Sequence, residues 1–280
     1  MTRRRDIDKH RHSLDEIREI MSSMKNLSFM EIHKISNFLE VQHSVVRHIE
    51  MVAADFLSFY PETPTDTSGT SVDVYLLLGT ERGFCGDFNH SLLRHFEAMP
   101  IAHDMEKLRI ITVGHKLNTL LTDDTRITVS IDGASVAEEV GNVLNEIVTQ
   151  LASIQESDGL LNLYVLYHDD AGQLINQQLL PPFRNLQDRN PGEMYTPVLN
   201  YEPREFLADL GYHYLFFVLY EIMYTSLMAE SRQRMSHLEG AVQNMDEQSE
   251  ELKRQSNVLR QEEIIEEIEV ILLSEASLDQ

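Results

Sequence analysis

The sequence predicts an α/β domain with a mainly parallel sheet, inserted between two long helices that pair as an antiparallel two-helix coiled coil. Three observations carry this. Neither glycine nor proline occurs from Asp6 to Phe59, and no proline occurs between Pro203 and Ser274, as long uninterrupted helices require. Both segments place apolar or small side chains at alternating spacings of three and four, the narrow seam of a coiled coil. Between them, short β-branched and leucine-rich runs alternate with helical patterns, the signature of an α/β layer.

The N-terminal helix is expected over residues 1–60. Its seam reads Leu14, Ile17, Met21 and Met24, then Ile35, Phe38, Val45, Ile49, Val52, Phe56 and Phe59, interrupted at Ser28, Glu31 and Gln42. Pro61-Glu62-Thr63-Pro64 and the polar run after it end that helix. In the domain, residues 61–202, Val72 to Leu78 reads as a buried strand, followed by the loop Gly79-Thr80-Glu81-Arg82-Gly83-Phe84-Cys85-Gly86 and a helix from Asp87 to Glu97. Further strands are expected at Leu108 to Val113, Ile127 to Ile131, Leu160 to Tyr167 and Gln173 to Leu180, with a helix near Ser135 to Ile154. Pro181-Pro182 and Pro191-Gly192 close the domain.

Pro203 suits a first helical turn, and the segment 203–280 returns as a helix of about 105 Å at 1.5 Å per residue. Tyr224, Met228, Ser231, Met235, Leu238, Val242, Met245, Ser249, Leu252, Ser256 and Leu259 form its seam. Two such helices on either side of one domain bury their seams by lying against one another. Past Leu259 the seam asks for apolar residues where Glu263 and Glu266 stand. Counted one for one from Pro203, the N-terminal helix runs out near residue 259, so Gln261 to Ser274 is expected as a single-helix tip with Ile264, Ile265, Ile268, Ile271 and Leu272 on its apolar side.

Composition narrows the function. With Lys+Arg 23 against Asp+Glu 46 the net charge is −23, which disfavours a nucleic-acid partner because phosphate neutralisation needs a basic face. Cys85 is the sole cysteine, so an internal disulfide and a Cys-rich metal site are both excluded. The opening Met1-Thr2-Arg3-Arg4-Arg5 is followed by Asp6 and Asp8 where an export signal needs an apolar stretch. The most apolar run, Tyr212 to Tyr224, is too short to span a bilayer and contains His213 and Glu221, so any membrane connection runs through a partner.

Candidate chemistry is sparse. The glycine loop stands where a nucleotide fold holds its phosphates, yet Gly79, Gly83 and Gly86 match neither G-x-G-x-x-G nor a P-loop, and Asp87 is repulsive to phosphate. A structural turn or protein-contact loop is the better reading. Cys85 at a helix start invites a nucleophile, and His10 with His12 a metal. A small packed side chain and a solvated helix surface are the commoner uses. Asp123-Asp124 and Asp169-Asp170 read as turn residues. A nucleotide-dependent enzyme with helical arms and a coiled-coil adaptor are the alternatives to the reading below.

Thr80-Glu81-Arg82-Gly83-Phe84-Cys85-Gly86-Asp87-Phe88-Asn89, together with Glu230, Arg234-Met235, Asn257, Arg260-Gln261, Ile264, Glu267-Ile268 and Ile271, resembles the gamma subunit of F-type ATP synthases, the central rotor shaft. The N-terminal motif is fainter, as Ile20-Met21-Ser22-Ser23-Met24, with Ser22 in place of the family's lysine. That loss, the acidic balance and the ending Leu272-Leu273-Ser274-Glu275 bring it closer to the divergent alternative, or N-type, bacterial subgroup. The resemblance implies a Rossmann-like domain, no catalytic residue, no cofactor and no metal. It implies alpha and beta subunits, an epsilon subunit and a membrane ring of c subunits as partners, at the cytoplasmic face of a bacterial inner membrane. It also implies beta-subunit contacts at Met24, Arg82 and Cys85 near the beta lever, and at Arg260 and Gln261 higher up.

Overall fold

The computed structural model describes residues 2–60, 71–103, 108–183 and 198–278. The linker beginning Pro61-Glu62-Thr63-Pro64 and the Pro191-Gly192 pair lie outside them. The chain divides into two units, Met1–Ser28 with Met235–Gln280, and Phe29–Arg234. Helices α1 (Thr2–Phe59) and α5 (Pro203–Leu278) contribute residues to both.

In the first unit α1 and α5 run antiparallel in a constant register. Ser256 Oγ donates to Asp8 at 2.8 Å and Ser249 Oγ to Asp15 at 2.8 Å, Arg18 Nε meets Asp246 at 2.7 Å, and Lys25 Nζ meets Glu239 at 3.7 Å. On α5 the expected seam is the inward face: Leu238 and Val242 are buried, and Met245, Ser249, Leu252 and Leu259 are half-buried. On α1 the expected seam positions Leu14, Met21 and Met24 are half-buried. Ile17 is the exception at 45% exposed, and half-buried Arg18 and Lys25 line the helix pair beside the seam. Carboxylates on α5 face these positions, and the long alkyl stems cover the seam while the charged ends pair. Contact extends to Arg4, whose guanidinium bonds Glu263, past the residue 259 that counting gave, because an arginine reaches beyond the last apolar layer. From Ile264 to Leu272 every side chain is exposed.

The second unit is a five-stranded sheet in the order β3-β2-β1-β4-β5, formed by β1 (Ser71–Leu78), β2 (Leu108–Val113), β3 (Ile127–Ile131), β4 (Leu160–His168) and β5 (Leu174–Leu180). The first four are parallel, with Leu76 opposite Ile111 on β2 and Val165 on β4; β5 turns back antiparallel. Near-continuous apolar runs such as Val74 to Leu78 suit strands covered on both faces. One face packs Tyr75, Leu77, Ile110 and Leu166 against Leu92 and Phe96 of α2 (Phe88–Glu97) and Leu117 of α3 (His115–Leu120). The other packs Val74, Leu76, Ile111 and Val165 with Leu144 and Ile147 of α4 (Val140–Asp158) and with α1 and α5. Here α1 buries Ile35, Leu39, Val46, Ala53 and Phe56, whereas Phe38 and Val52 are exposed. The expected and observed seams share Ile35, Val45, Ile49, Phe56 and Phe59, all buried or half-buried. They part at Phe38 and Val52, and Leu39, Val46 and Ala53 are buried in addition, because α1 must cover α4 and the sheet as well as α5. Helix α4 begins at Val140 after a 3-10 turn at Ala137–Glu139, later than the expected Ser135.

Candidate functional site

The glycine loop leaves the C-terminal end of β1, and its polar groups are taken up one by one. Thr80 N donates to Asn89 Oδ1 at 2.9 Å, and Asn89 Nδ2 returns a bond to Thr80 Oγ1 at 2.9 Å. The Glu81 carboxylate accepts the N–H groups of His115 at 2.8 Å and Gly133 at 2.6 Å. The backbone N–H groups of Glu81 and Arg82 donate to the Glu230 carboxylate of α5 at 3.1 and 3.0 Å, and Arg234 Nε donates to the Gly83 carbonyl at 3.1 Å. Arg234 also pairs with Glu230 four residues earlier, both side chains being 5% exposed.

Successive N–H groups with a guanidinium beside them are what a phosphate seeks at this point of a nucleotide fold. Here the protein's own Glu230 carboxylate fills that cradle. Burial pushes this carboxyl up, while Arg234 and the two N–H groups act the other way. The space between the strand ends and α5, lined by Leu78, Gly79, Val113, Met223, Leu227 and Glu230, is about 20 Å³, room for about one water. A nucleotide finds neither its donors nor its volume.

Cys85 points inward, packed with Phe88 and Ala229. Burial, with the Glu230 carboxylate adding to it, pushes the thiol up to about 12, so it is neutral and no nucleophile. His10 is exposed, His12 lies 3.4 Å from Glu16, and no cluster of three or more His, Cys, Asp or Glu converges among the described residues. Asp124 is engaged by Arg126, and Asp169 accepts the N–H groups of Ala171 and Gln173 at 3.0 and 2.7 Å, both turn roles.

Arg82 is exposed beside buried Cys85 in one loop. Arg260 and Gln261 are adjacent and exposed on α5 of the first unit, and Met24 is half-buried on α1 beside Lys25. Met24 and the Arg260 pair belong to opposite ends of that unit, at the levels of the Lys25–Glu239 and Arg4–Glu263 contacts. Sequence reasoning assigned no task to Glu230 and Arg234. A charged pair at i, i+4 interleaved with the seam residues Ser231 and Met235 was the available signal. It also passed over Phe84, which is 47% exposed with φ +65°.

A second buried polar group lies under α2. His168 Nε2 is 3.0 Å from Ser91 Oγ, its ring is centred 3.9 Å from Phe88, and burial lowers its pKa to about 4. Because the folded value lies below the unfolded one of 6.5, the folded state resists a proton that the unfolded chain takes up. Stability from this group is complete above pH 6.5 and is lost progressively as the pH falls towards 4. Urea titrations across that range should show His168→Gln losing less stability on acidification than the unmodified chain; parallel curves would contradict this.

The fold is a five-stranded α/β sheet inserted in sequence between two long helices, with its glycine loop anchored by side chains of α5. A family model described as ATP synthase matches residues 3–278, and the chain belongs to that family, as a gamma-type, central-stalk subunit of a rotary ATP synthase. The chain is 23% identical to the ATP synthase gamma chain of Clostridium botulinum, over 93% of each. It is 23% identical to that of Mycoplasmoides gallisepticum, covering 99% of this chain and 100% of the relative. Among solved structures it shares the fold of a chain in the Euglena gracilis mitochondrial ATP synthase in rotational state 3, with TM-score 0.61, 16% identity and coverage of 99% and 95%. A chain of that enzyme's rotor in state 1 gives TM-score 0.59 at 16% identity, covering 94% and 99%. Among the described residues no helix is long and apolar enough to cross a membrane.

Proposed function

We propose that this chain is the non-catalytic rotor shaft of the complex. It couples ion flow through a membrane ring of c subunits to conformational cycling of the beta subunits, at the cytoplasmic face of a bacterial membrane. Residues 1–60 and 203–280 serve as the shaft, and residues 61–202 as the part that meets the epsilon subunit and the ring. The observation that carries this reading is the antiparallel register held by hydrogen bonds and ion pairs from Asp8–Ser256 to Lys25–Glu239, followed by the exposed segment Ile264–Leu272. A cross-linked helix pair resists twisting better than one helix, and its faces differ. Differential contact with three otherwise equivalent beta subunits is what shifts their nucleotide affinities.

Met24, Arg82, Arg260 and Gln261 are proposed to contact beta subunits through their side chains. For Cys85, which is buried, the contact is assigned to the loop it anchors. The test compares charge reversals in the assembled complex. Arg260→Glu should weaken ATP-driven ion pumping more than Arg232→Glu, because a charge-assisted contact is worth about 1.5–3 kcal/mol. Arg232 is occupied within the chain, donating to the Asp170 carbonyl at 2.6 Å. Equal pumping by both variants would remove the Arg260 contact.

A further inference from the structure

The glycine loop presents outward two side chains, Arg82 and Phe84, between half-buried Glu81 and buried Cys85. A cation and an aromatic ring at an exposed loop are the residue types that dominate protein contacts. Phe84 is held at φ +65°, a conformation that a bulky residue keeps when its surroundings impose it. Two sets of contacts impose it. The Thr80–Asn89 bonds and the Glu81 carboxylate tie the loop to α2, α3 and the turn after β3. The Glu230 carboxylate on the N–H groups of Glu81 and Arg82, with Arg234 on the Gly83 carbonyl, ties it to α5.

We propose that Glu230 is a positioning residue, a built-in anion whose carboxylate fills the cradle made by the loop and Arg234, so that a load on Arg82 or Phe84 passes directly into α5. The proposal rests on the rotor reading, since a load reaches the loop when a partner moves against it. The latch is ionic and buried, which suits repeated loading: buried charge-assisted bonds are stronger than neutral ones and are little screened by salt.

Amide hydrogen exchange on the full chain and ion pumping per ATP hydrolysed in the assembled complex are measured for the unmodified protein, Glu230→Ala and Glu230→Gln, each with and without excess formate. In Glu230→Ala the amides of Glu81 and Arg82 should exchange about tenfold faster or more, while those of Leu144 and Ile147 stay protected. Formate, a small carboxylate, should refill the cradle and restore both protection and pumping. Glu230→Gln keeps the cavity filled, so it should lose part of the protection and show no response to formate. Unchanged exchange at Glu81 and Arg82 in Glu230→Ala overturns the latch, and so does faster exchange with undiminished pumping per ATP. Because exchange is read on the chain by itself, failure to assemble with ATP synthase subunits counts against the rotor reading instead.

Discussion

Arg234→Ala should destabilise the protein by about 3–5 kcal/mol, the cost of leaving one member of a buried ion pair without its partner. Glu230 is 4% exposed, and in the variant two backbone N–H groups are its remaining protein donors. The Gly83 carbonyl loses its 3.1 Å bond as well. Against a typical domain stability of about 5–15 kcal/mol such a loss is large enough to move a urea midpoint well outside error. Removing both charges, as in Glu230→Met with Arg234→Leu, should recover part of the loss, because no lone charge is left buried while the N–H groups of Glu81 and Arg82 lose their acceptor. A single Arg234→Ala variant within about 0.5 kcal/mol of the unmodified chain would place it among ordinary surface changes and remove the anchor.

Gly114→Ala should cost about 3 kcal/mol, combining backbone strain with overpacking. Gly114 has φ +117°, and a Cβ there would lie 2.8 Å from the Thr80 carbonyl oxygen and 2.9 Å from the Gly79 carbonyl carbon. Both neighbours are backbone of the glycine loop, so neither can swing aside. Gly240→Ala is the matched comparison: a Cβ at this helical position meets nothing within 4 Å, and alanine should stabilise the helix by about 0.5–1 kcal/mol. Thermal unfolding of the two variants separates them by sign, and a Gly114→Ala protein as stable as the unmodified one would mean that the loop and the start of α3 are not in close approach.

The same glycines show what the sequence makes legible. Strands β2 and β3 are found at the expected bounds, and β1, β4 and β5 within a residue of theirs at each end, because runs such as Leu108 to Val113 admit one reading once both faces of the sheet are covered. Helix α3 has six residues, Leu117 being the buried one, too few for a period to register. Gly79 belongs to a loop that resembles a phosphate cradle, but its role is spatial: a Cβ there would sit 2.4 Å from Leu117 Cβ, a contact between segments 38 residues apart that no local pattern carries. The seam of α1 was legible except at Ile17, Phe38 and Val52, which are exposed. Ile17, Phe38 and Val52 are more apolar than Arg18 or Lys25, but burial follows what α5 and α4 place opposite, and opposite Arg18 and Lys25 stand Asp246 and Glu239. The anchor was written in plain residues, Glu230 and Arg234. Its meaning depends on the loop folding back onto α5, 148 residues away for the Arg82 bond.

The most direct measurement attaches a bead or fluorescent rod to the α/β unit of this chain, in a complex whose alpha and beta subunits are fixed to a surface, and watches it while ATP is hydrolysed. The rotor account predicts unidirectional, stepwise rotation that stops when ATP is withdrawn. A probe that stays still while the immobilised complex turns over ATP would contradict it.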